Sequence, residues 1–386
     1  MLCLLFTATL FIATMMPATA EHVQAAIRSG AVPAHGVNLG SWLVMESWMS
    51  KQSPVWAGVP DAIAVGGEHQ TMAFLGREKA DPRFKLHRDT FITAADIAEI
   101  GASGMNMVRV PVGWWIMPDS TNDAWKHYSP GGLAYLDMLI KDWAVRSNVA
   151  VLVDIHAAPG SQNGRDHSSA PTSNVANWSR DEGNIARTLK VAEFLAARYS
   201  QDEAFLGLSL LNEPEGNPAT NSGVDTAKLQ AYYTTAVSRI RQTGNDCVLV
   251  VAPLLTEQSP TAAGWPTFLR QKNIWHDWHK YLKWGHEGQP LSELIARGTD
   301  TIARDISQWT GNPLFIGEWS LGHPDSAKAE FQDQNQGKLY ASTYLAAVSK
   351  AKGGWAFWSW RADTGLPFGE GWSMRELLRG GILKLK

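Results

Sequence analysis

Cysteine is almost missing from this chain: of 386 residues only Cys3 and Cys247 carry a thiol. Cys3 lies in an apolar opening stretch and Cys247 starts the run CVLVVAP. A chain trimmed of that opening would hold one cysteine and no intrachain disulfide, so its stability must come from packing. Charge is also sparse, at 18% of residues with a formal net charge of −3. That balance excludes a polybasic surface for nucleic acid or anionic membrane. Beyond the first twenty residues no segment approaches the ~18 apolar residues of a membrane span. A G-x-S-x-G elbow, a phosphate-binding loop and an H-E-x-x-H helix are all absent, so serine hydrolase, nucleotide and metalloprotease chemistries lack their signatures.

What the chain has in excess is tryptophan, eighteen residues within a 45% hydrophobic composition. Tryptophan can fill a large core, or it can form flat apolar platforms on which sugars and other rings stack. The opening MLCLLFTATLFIATMMPATA ends in Ala18-Thr19-Ala20, a small-x-small cleavage pattern. It predicts a secretory signal peptide over 1–20, with one catalytic domain over 21–386 in a secreted, extracellular or cell-wall protein. The basic n-region is missing, which leaves an uncleaved anchor as the alternative. Asn177-Trp178-Ser179 is a glycosylation sequon.

Eight short β-rich runs recur along the chain: 35–40, 105–113, 150–159, 205–214, 247–253, 273–281, 314–320 and 354–360. Amphipathic stretches such as NIARTLKVAEFLAARYS and TAKLQAYYTTAVSRIRQTG lie between them. Alternation of this kind predicts βα units and a parallel sheet, and eight of them are what an α/β single (β/α)8 TIM barrel needs. An open doubly wound sheet alternates too, but the first strand is followed by GVNLGSW, without G-x-G-x-x-G spacing. No linker, repeat or low-complexity tract suggests a second domain.

The strand ends carry the chemistry. Seven of the eight runs finish in polar or aromatic residues: Asn38, Arg109, His156, Asn212 with Glu213, His279 with Tyr281, Glu318, and Trp358 with Trp360. In a β/α barrel these ends converge on one rim, where the active site sits. LLNEPEG places Glu213 at a strand end that Pro214 terminates, and leaves Glu215 in the loop. FIGEWS places Glu318 at another. Two rim glutamates can serve as acid/base and nucleophile in glycosidic bond cleavage. Their pKa values must then be pushed apart, and Arg109, a cation at a strand end, is the candidate for doing so. A guanidinium tying backbone carbonyls together is the competing reading for Arg109. In HDWH, strand alternation sends His276 and His279 to opposite faces, which argues against a metal site there. Asp277, His279 and Tyr281 share one face, as do Asp154 and His156.

GVNLGSWLVMESWM, MVRVPVGWW, DIHAAPGSQNG, LLNEPEG, HDWHKY, FIGEWSLG, GWAFWSW and GWSMRELLRGGIL occur in this order from about residue 33 to the C-terminus. Together they resemble glycoside hydrolase family 5, most closely its exo-β-1,3-glucanase branch. The resemblance implies a (β/α)8 barrel and retention of anomeric configuration, with no metal or organic cofactor. It implies Glu213 as acid/base and Glu318 as nucleophile, with Asn212 on the sugar 2-hydroxyl. Arg109, His156, His279 and Tyr281 form the surrounding polar shell, Tyr281 bonding the nucleophile. Trp358 is the sugar platform and Glu46 the grip on a terminal glucose. The chain departs from the branch where Arg165 and Trp284 stand at positions usually held by two clamping phenylalanines. The fungal disulfides are impossible here. The segment after WLVMESWMS reads as a long loop to about residue 90.

The expected activity is release of glucose from the non-reducing ends of β-1,3-glucan, with transglucosylation as a side reaction and an acidic pH optimum. The expected partner is a β-glucan or β-glucoside, with no nucleic acid or membrane span after leader removal, and a monomeric state. The alternatives are the same machinery on a β-1,6-glucan, a glycolipid or β-1,4-glucan, or a silent glucan-binding wall protein.

Overall fold

Each predicted strand is an apolar run flanked by turn residues, and in the computed structural model, which describes residues 21–217 and 222–385, each of the eight pairs in parallel. They are β1 (Ala34–Asn38), β2 (Met107–Gly113), β3 (Ala150–Ala157), β4 (Phe205–Ser209), β5 (Val248–Val251), β6 (Ile274–Lys280), β7 (Leu314–Trp319) and β8 (Gly354–Phe357). The sheet closes on itself because β1 pairs with both β2 and β8: Val37 stands opposite Val108 on one side and Phe357 on the other. Only residues 216–217 and 222–223 add a further ribbon among the described residues. The signal peptide reading, with Cys3, falls outside them.

Burial on both faces of every strand explains the near-continuous apolar runs. The outer face packs against the helices. Several of these start on side-chain caps: Asp181 accepts from the Gly183 N–H, Asp225 from Lys228, and Thr93 with Asp96 forms a reciprocal box. Such caps contribute about 1 kcal/mol each and fix where the helix begins after its strand.

The inner face shows what positions the site. Met107, Leu152, Trp275 and Phe315, with Ala34, Val248 and Ala356, form an apolar layer inside the barrel, and Ile27 of the helix Val23–Arg28 joins it. Two residues further along the same strands stand Arg109, Asp154 and Asp277, and two beyond these His156 and His279. Strand periodicity therefore carries each inward face from apolar to charged toward the C-terminal rim.

Three expectations need correction. The fourth run ends as a strand at Ser209, so Asn212 and Glu213 lie beyond it. The Leu210 N–H still bonds Val250 O, after which the chain lifts to place the Asn212 N–H on Ile155 O at 3.0 Å. Trp358 and Trp360 likewise follow β8 rather than end it. The region to residue 90 is not a loop: it holds helices Asp61–Ala64, Gly67–Leu75 and Arg77–Phe91. Met72, Ala80 and Phe84 pack there with Met45, Val55 and Trp56 into a small core of their own. Tryptophan serves both of its readings, since Trp42, Trp178, Trp265, Trp278, Trp319 and Trp360 are fully buried while Trp284 is exposed. Among the described residues no helix is long and apolar enough to cross a membrane.

The closing seam depends on one glycine. Gly354 has φ +95°, and a Cβ there would lie 1.8 Å from Ala34 O. Gly354→Ala must open the β1–β8 pairing, and we expect a loss of about 3 kcal/mol or more in urea unfolding. A midpoint within error of the parent would show that the seam tolerates a side chain.

Candidate active site

Arg109 is wholly buried, and its donors meet side chains from around the rim. Nη1 donates to Asn38 Oδ1 and Glu318 Oε1, both at 2.9 Å, and Nη2 donates to Asn212 Oδ1 at 2.7 Å. Asp154 Oδ1 lies 3.1 Å from Nη2 and Asp277 Oδ2 at 3.9 Å. No backbone carbonyl is among these partners, which argues against Arg109 as a tie between backbone carbonyls. Burial opposes its charge, but Asp154, Glu318 and Asp277 together hold it protonated.

Glu318 is fixed at both oxygens. Oε1 receives Arg109, and Oε2 receives the Tyr281 hydroxyl at 2.6 Å, with His279 Nδ1 at 3.4 Å. Glu213 faces it, with Oε1 2.7 Å from His279 Nδ1. The Glu213 backbone holds a left-handed φ of +41°, and its carbonyl accepts from Asn163 Nδ2 at 3.1 Å. A non-glycine residue at such a φ is uncommon and persists only where surroundings over-determine it. His279 is braced from behind by Asp277 Oδ2 at 3.3 Å. His156 bonds Asp154 through Nδ1 at 2.7 Å and stacks flat on Trp358, centroids 5.4 Å apart.

Charge is distributed by these contacts. Burial disfavours charge on His279, yet the Glu318 and Asp277 carboxylates and the bond to Glu213 raise it well above an ordinary imidazole. Burial alone would raise Glu213, but the His279 hydrogen bond and charge carry it down to about 2. Glu318 is raised, by burial first and by the Glu213 charge, against His279 and Arg109. Glu46 is raised well above the carboxylate range by burial and then by Asp166, with Glu318 and Glu213 adding to it. Its Oε2 accepts from Trp48 Nε1 at 2.7 Å. The charges of both rim glutamates therefore reach Glu46.

The predicted residues therefore come together, with Trp284 at the margin: it is 61% exposed and stands edge-on to Tyr281 at 5.4 Å. Arg165 does not enter the pocket. It pairs with Glu215 through Nε at 3.1 Å and Nη2 at 3.0 Å, on the rim. His276 faces outward between Trp265 and Trp309, as alternation requires. One oxygen or nitrogen from each of Glu213, His279 and Glu318 falls within 4.8 Å of the others. These groups are donor types a metal could use, but the oxygens of Glu318 already accept from Arg109 and Tyr281, and His279 Nδ1 is bonded to Glu213. Sequence reasoning missed Gln162, whose amide nitrogen donates to His156 O and Asn212 O at 2.7 and 2.9 Å. It missed His167, Trp48 and Trp372 as well. Gln162 and His167 sit in the loop after β3, where no periodicity reports which way a side chain points.

One partly buried and one buried carboxyl group on a barrel rim, each with its own hydrogen-bonding partners, can exchange a proton and attack an electrophilic carbon in one pocket. The sequence profile described as cellulase, glycosyl hydrolase family 5, matches residues 75–364. The chain belongs to glycosyl hydrolase family 5. This family 5 chain is an O-glycosyl hydrolase. It is 30% identical to a probable glucan 1,3-beta-glucosidase A of Emericella nidulans, over 91% of this chain and 90% of that one. It is 28% identical to glucan endo-1,6-beta-glucosidase B of the same organism, over 90% and 84%. The crystal structure of rutinosidase from Aspergillus niger shares the fold, with a TM-score of 0.75 at 20% identity over 92% of this chain and 99% of that one.

Arg109→Met would leave Asp154, Asp277 and Glu318 buried without their cation. We expect about 3–5 kcal/mol of lost stability at neutral pH. Asp154, raised by burial but lowered on balance by Arg109, contributes stability that is present above its ordinary 3.8 and lost as pH falls through its lower folded value. Without Arg109 the buried acids protonate instead, so the gap between variant and parent should narrow as pH falls toward 4. Thermal unfolding at several pH values checks this, and a gap that widened in acid would contradict it.

Proposed function

We propose that this hydrolase is a retaining β-glucosidase-type enzyme releasing glucose from the non-reducing ends of β-1,3-glucan. The observation that carries the reading is the short gap between the carboxylates. Oxygens of Glu213 and Glu318 approach within 4.8 Å. Inverting enzymes keep their two carboxyls roughly 6.5–9.5 Å apart to admit a water, whereas retaining enzymes hold them at about 5–5.5 Å. Glu318 attacks the anomeric carbon and forms a glucosyl-enzyme. Glu213 protonates the leaving oxygen, then acts as base on the incoming water or on a second sugar, which gives transglucosylation.

The remaining roles follow from the contacts. Asn212 Oδ1 is taken by Arg109, while its Nδ2 is buried without a partner among the described residues. That donor is available to the sugar 2-hydroxyl. Trp358, held flat on His156, offers a ring to the sugar face. Glu46, buried beside both glutamates, would grip hydroxyls of a terminal glucose, which supports end-reading over mid-chain cutting. A leader over 1–20 and a secreted catalytic domain from residue 21, acting as a monomer, belong to the same proposal, as does use of the exposed Asn177. The Arg165–Glu215 pair favours one second reading: the same mechanism on another linkage such as β-1,6, because the leaving side lacks one clamping aromatic.

The empty site has the two carboxyls poised opposite to what the reaction needs, with Glu213 ionised and Glu318 raised. A sugar filling the pocket expels water from Glu213, which disfavours its charged form, while Arg109 and Tyr281 remain on Glu318.

A product time course on laminarin, pustulan and carboxymethylcellulose separates the linkages. Glucose alone from laminarin, falling at least about a thousandfold in Glu318→Gln, is the expected result. Mixed oligomers, or a preference for pustulan, would replace the exo-β-1,3 assignment. The rate should fall in acid as Glu318, raised above 4.5, takes a proton. It should fall in alkali as the proton shared by Glu213 and His279 is lost, above the ordinary imidazole value of 6.5. A rate still climbing at pH 9 would contradict this arrangement.

A further inference from the structure

Glu213 has two oxygens, and His279 occupies one of them. The other, Oε2, is the atom left to meet a glycosidic oxygen, and a second imidazole stands beside it: His167 Nε2 lies 3.5 Å away. His167 comes from the turn Asp166–Ser168 in the loop after β3, and its remaining nitrogen, Nδ1, is buried with no partner among the described residues. That turn is held from behind. Ser168 Oγ donates to Arg165 O at 2.8 Å and meets Ser161 Oγ at 2.6 Å, and the His69 N–H of the helix Gly67–Leu75 donates to Ser169 Oγ at 2.8 Å.

We propose that His167 is a positioning residue for the acid/base, holding Glu213 Oε2 while His279 holds Oε1. The inference rests on the assignment of Glu213 as acid/base. Both oxygens bracketed by imidazoles fix the plane of the carboxyl group, so its free lone pair or proton keeps one direction. At 3.5 Å the two groups are close enough for a small side-chain rotation to bring them into hydrogen-bond range. His167 is also among the neighbours that lower Glu213, after the His279 hydrogen bond and charge. The titratable and charged groups around His167 are Glu213, His156 with its ring centroid at 5.2 Å, and Arg165 and Asp166 on its own turn, with His279 and Glu46 beyond.

The test compares His167→Ala and His167→Gln with the parent on two β-glucosides. One has a 2,4-dinitrophenolate leaving group, which departs without protonation; the other has an alkyl or sugar leaving group, which does not. We expect His167→Ala to lose about tenfold in kcat/KM on the second and less than about twofold on the first. Its pH profile should move up, because a neighbour that lowers Glu213 is gone. His167→Gln, which keeps a donor but no charge, should recover most of the rate and leave the profile shifted. Equal losses on both glucosides with an unmoved pH profile would overturn the proposal and make His167 a loop-packing residue. Glu213→Ala, run in parallel with azide, reports on the assignment beneath. Retained dinitrophenyl turnover with formation of glucosyl azide supports Glu213 as acid/base, and its failure removes that assignment whatever His167 does.

Discussion

A single buried guanidinium sets the geometry on which the site depends. Arg109 has five donors in a rigid fork and no acceptor, so every group it touches must present an oxygen. That requirement orients Asn38 and Asn212 as well as the carboxylates. With Oδ1 of Asn212 turned to Arg109, its amide nitrogen has to face away into the pocket, where it is unpartnered. One residue on β2 thereby fixes Glu318, an aspartate on β3, the first asparagine of the barrel and the Asn212 amide above β4. Buried ion pairs of this kind are weak arguments for net stability, since desolvation offsets much of the attraction. Their effect here is to leave the rim one permitted arrangement.

The apolar layer below makes that arrangement affordable in a water-poor interior. Met107, Leu152, Trp275 and Phe315 fill the barrel beneath the charged tier and keep water from entering from the bottom end. The low dielectric strengthens every contact above it. Against the burial that disfavours its charge, the facing Glu318 and Asp277 carboxylates and the bond to Glu213 raise His279 well above an ordinary imidazole.

Much of this was legible because strand periodicity and strand ends are local properties. Eight apolar runs gave the barrel, and alternation in HDWH separated His276 from His279 without a structure. Where the chain leaves the ladder was not legible. An apolar run such as FLGLSLL reads as strand to its end, yet β4 stops at Ser209 because its last residues turn up to reach Ile155 O. The helices between residues 61 and 91 were hidden for another reason. Their apolar positions, Met72, Ala80 and Phe84, are few and scattered among charges, and their helical state depends on a small core shared with Met45, Val55 and Trp56. His167 was invisible because its significance is a contact between two loops, and no spacing within either loop encodes it.

The two walls of the pocket mouth differ in kind, and the difference bears on what leaves. On one side Trp284 stands against Tyr281 and Trp372 as an aromatic edge. On the other the Arg165 guanidinium is held by Glu215, with the arginine side chain 53% exposed. An ion pair that open to solvent contributes at most about 1 kcal/mol, so either partner can be drawn off by a competing polar group. A sugar leaving through this mouth meets a ring on one face and exchangeable donors and acceptors on the other. Two aromatic walls select for flat stacking on both faces. One aromatic and one ionic wall offer stacking on one side and donors and acceptors on the other, and the proposed reading on another linkage rests on that difference.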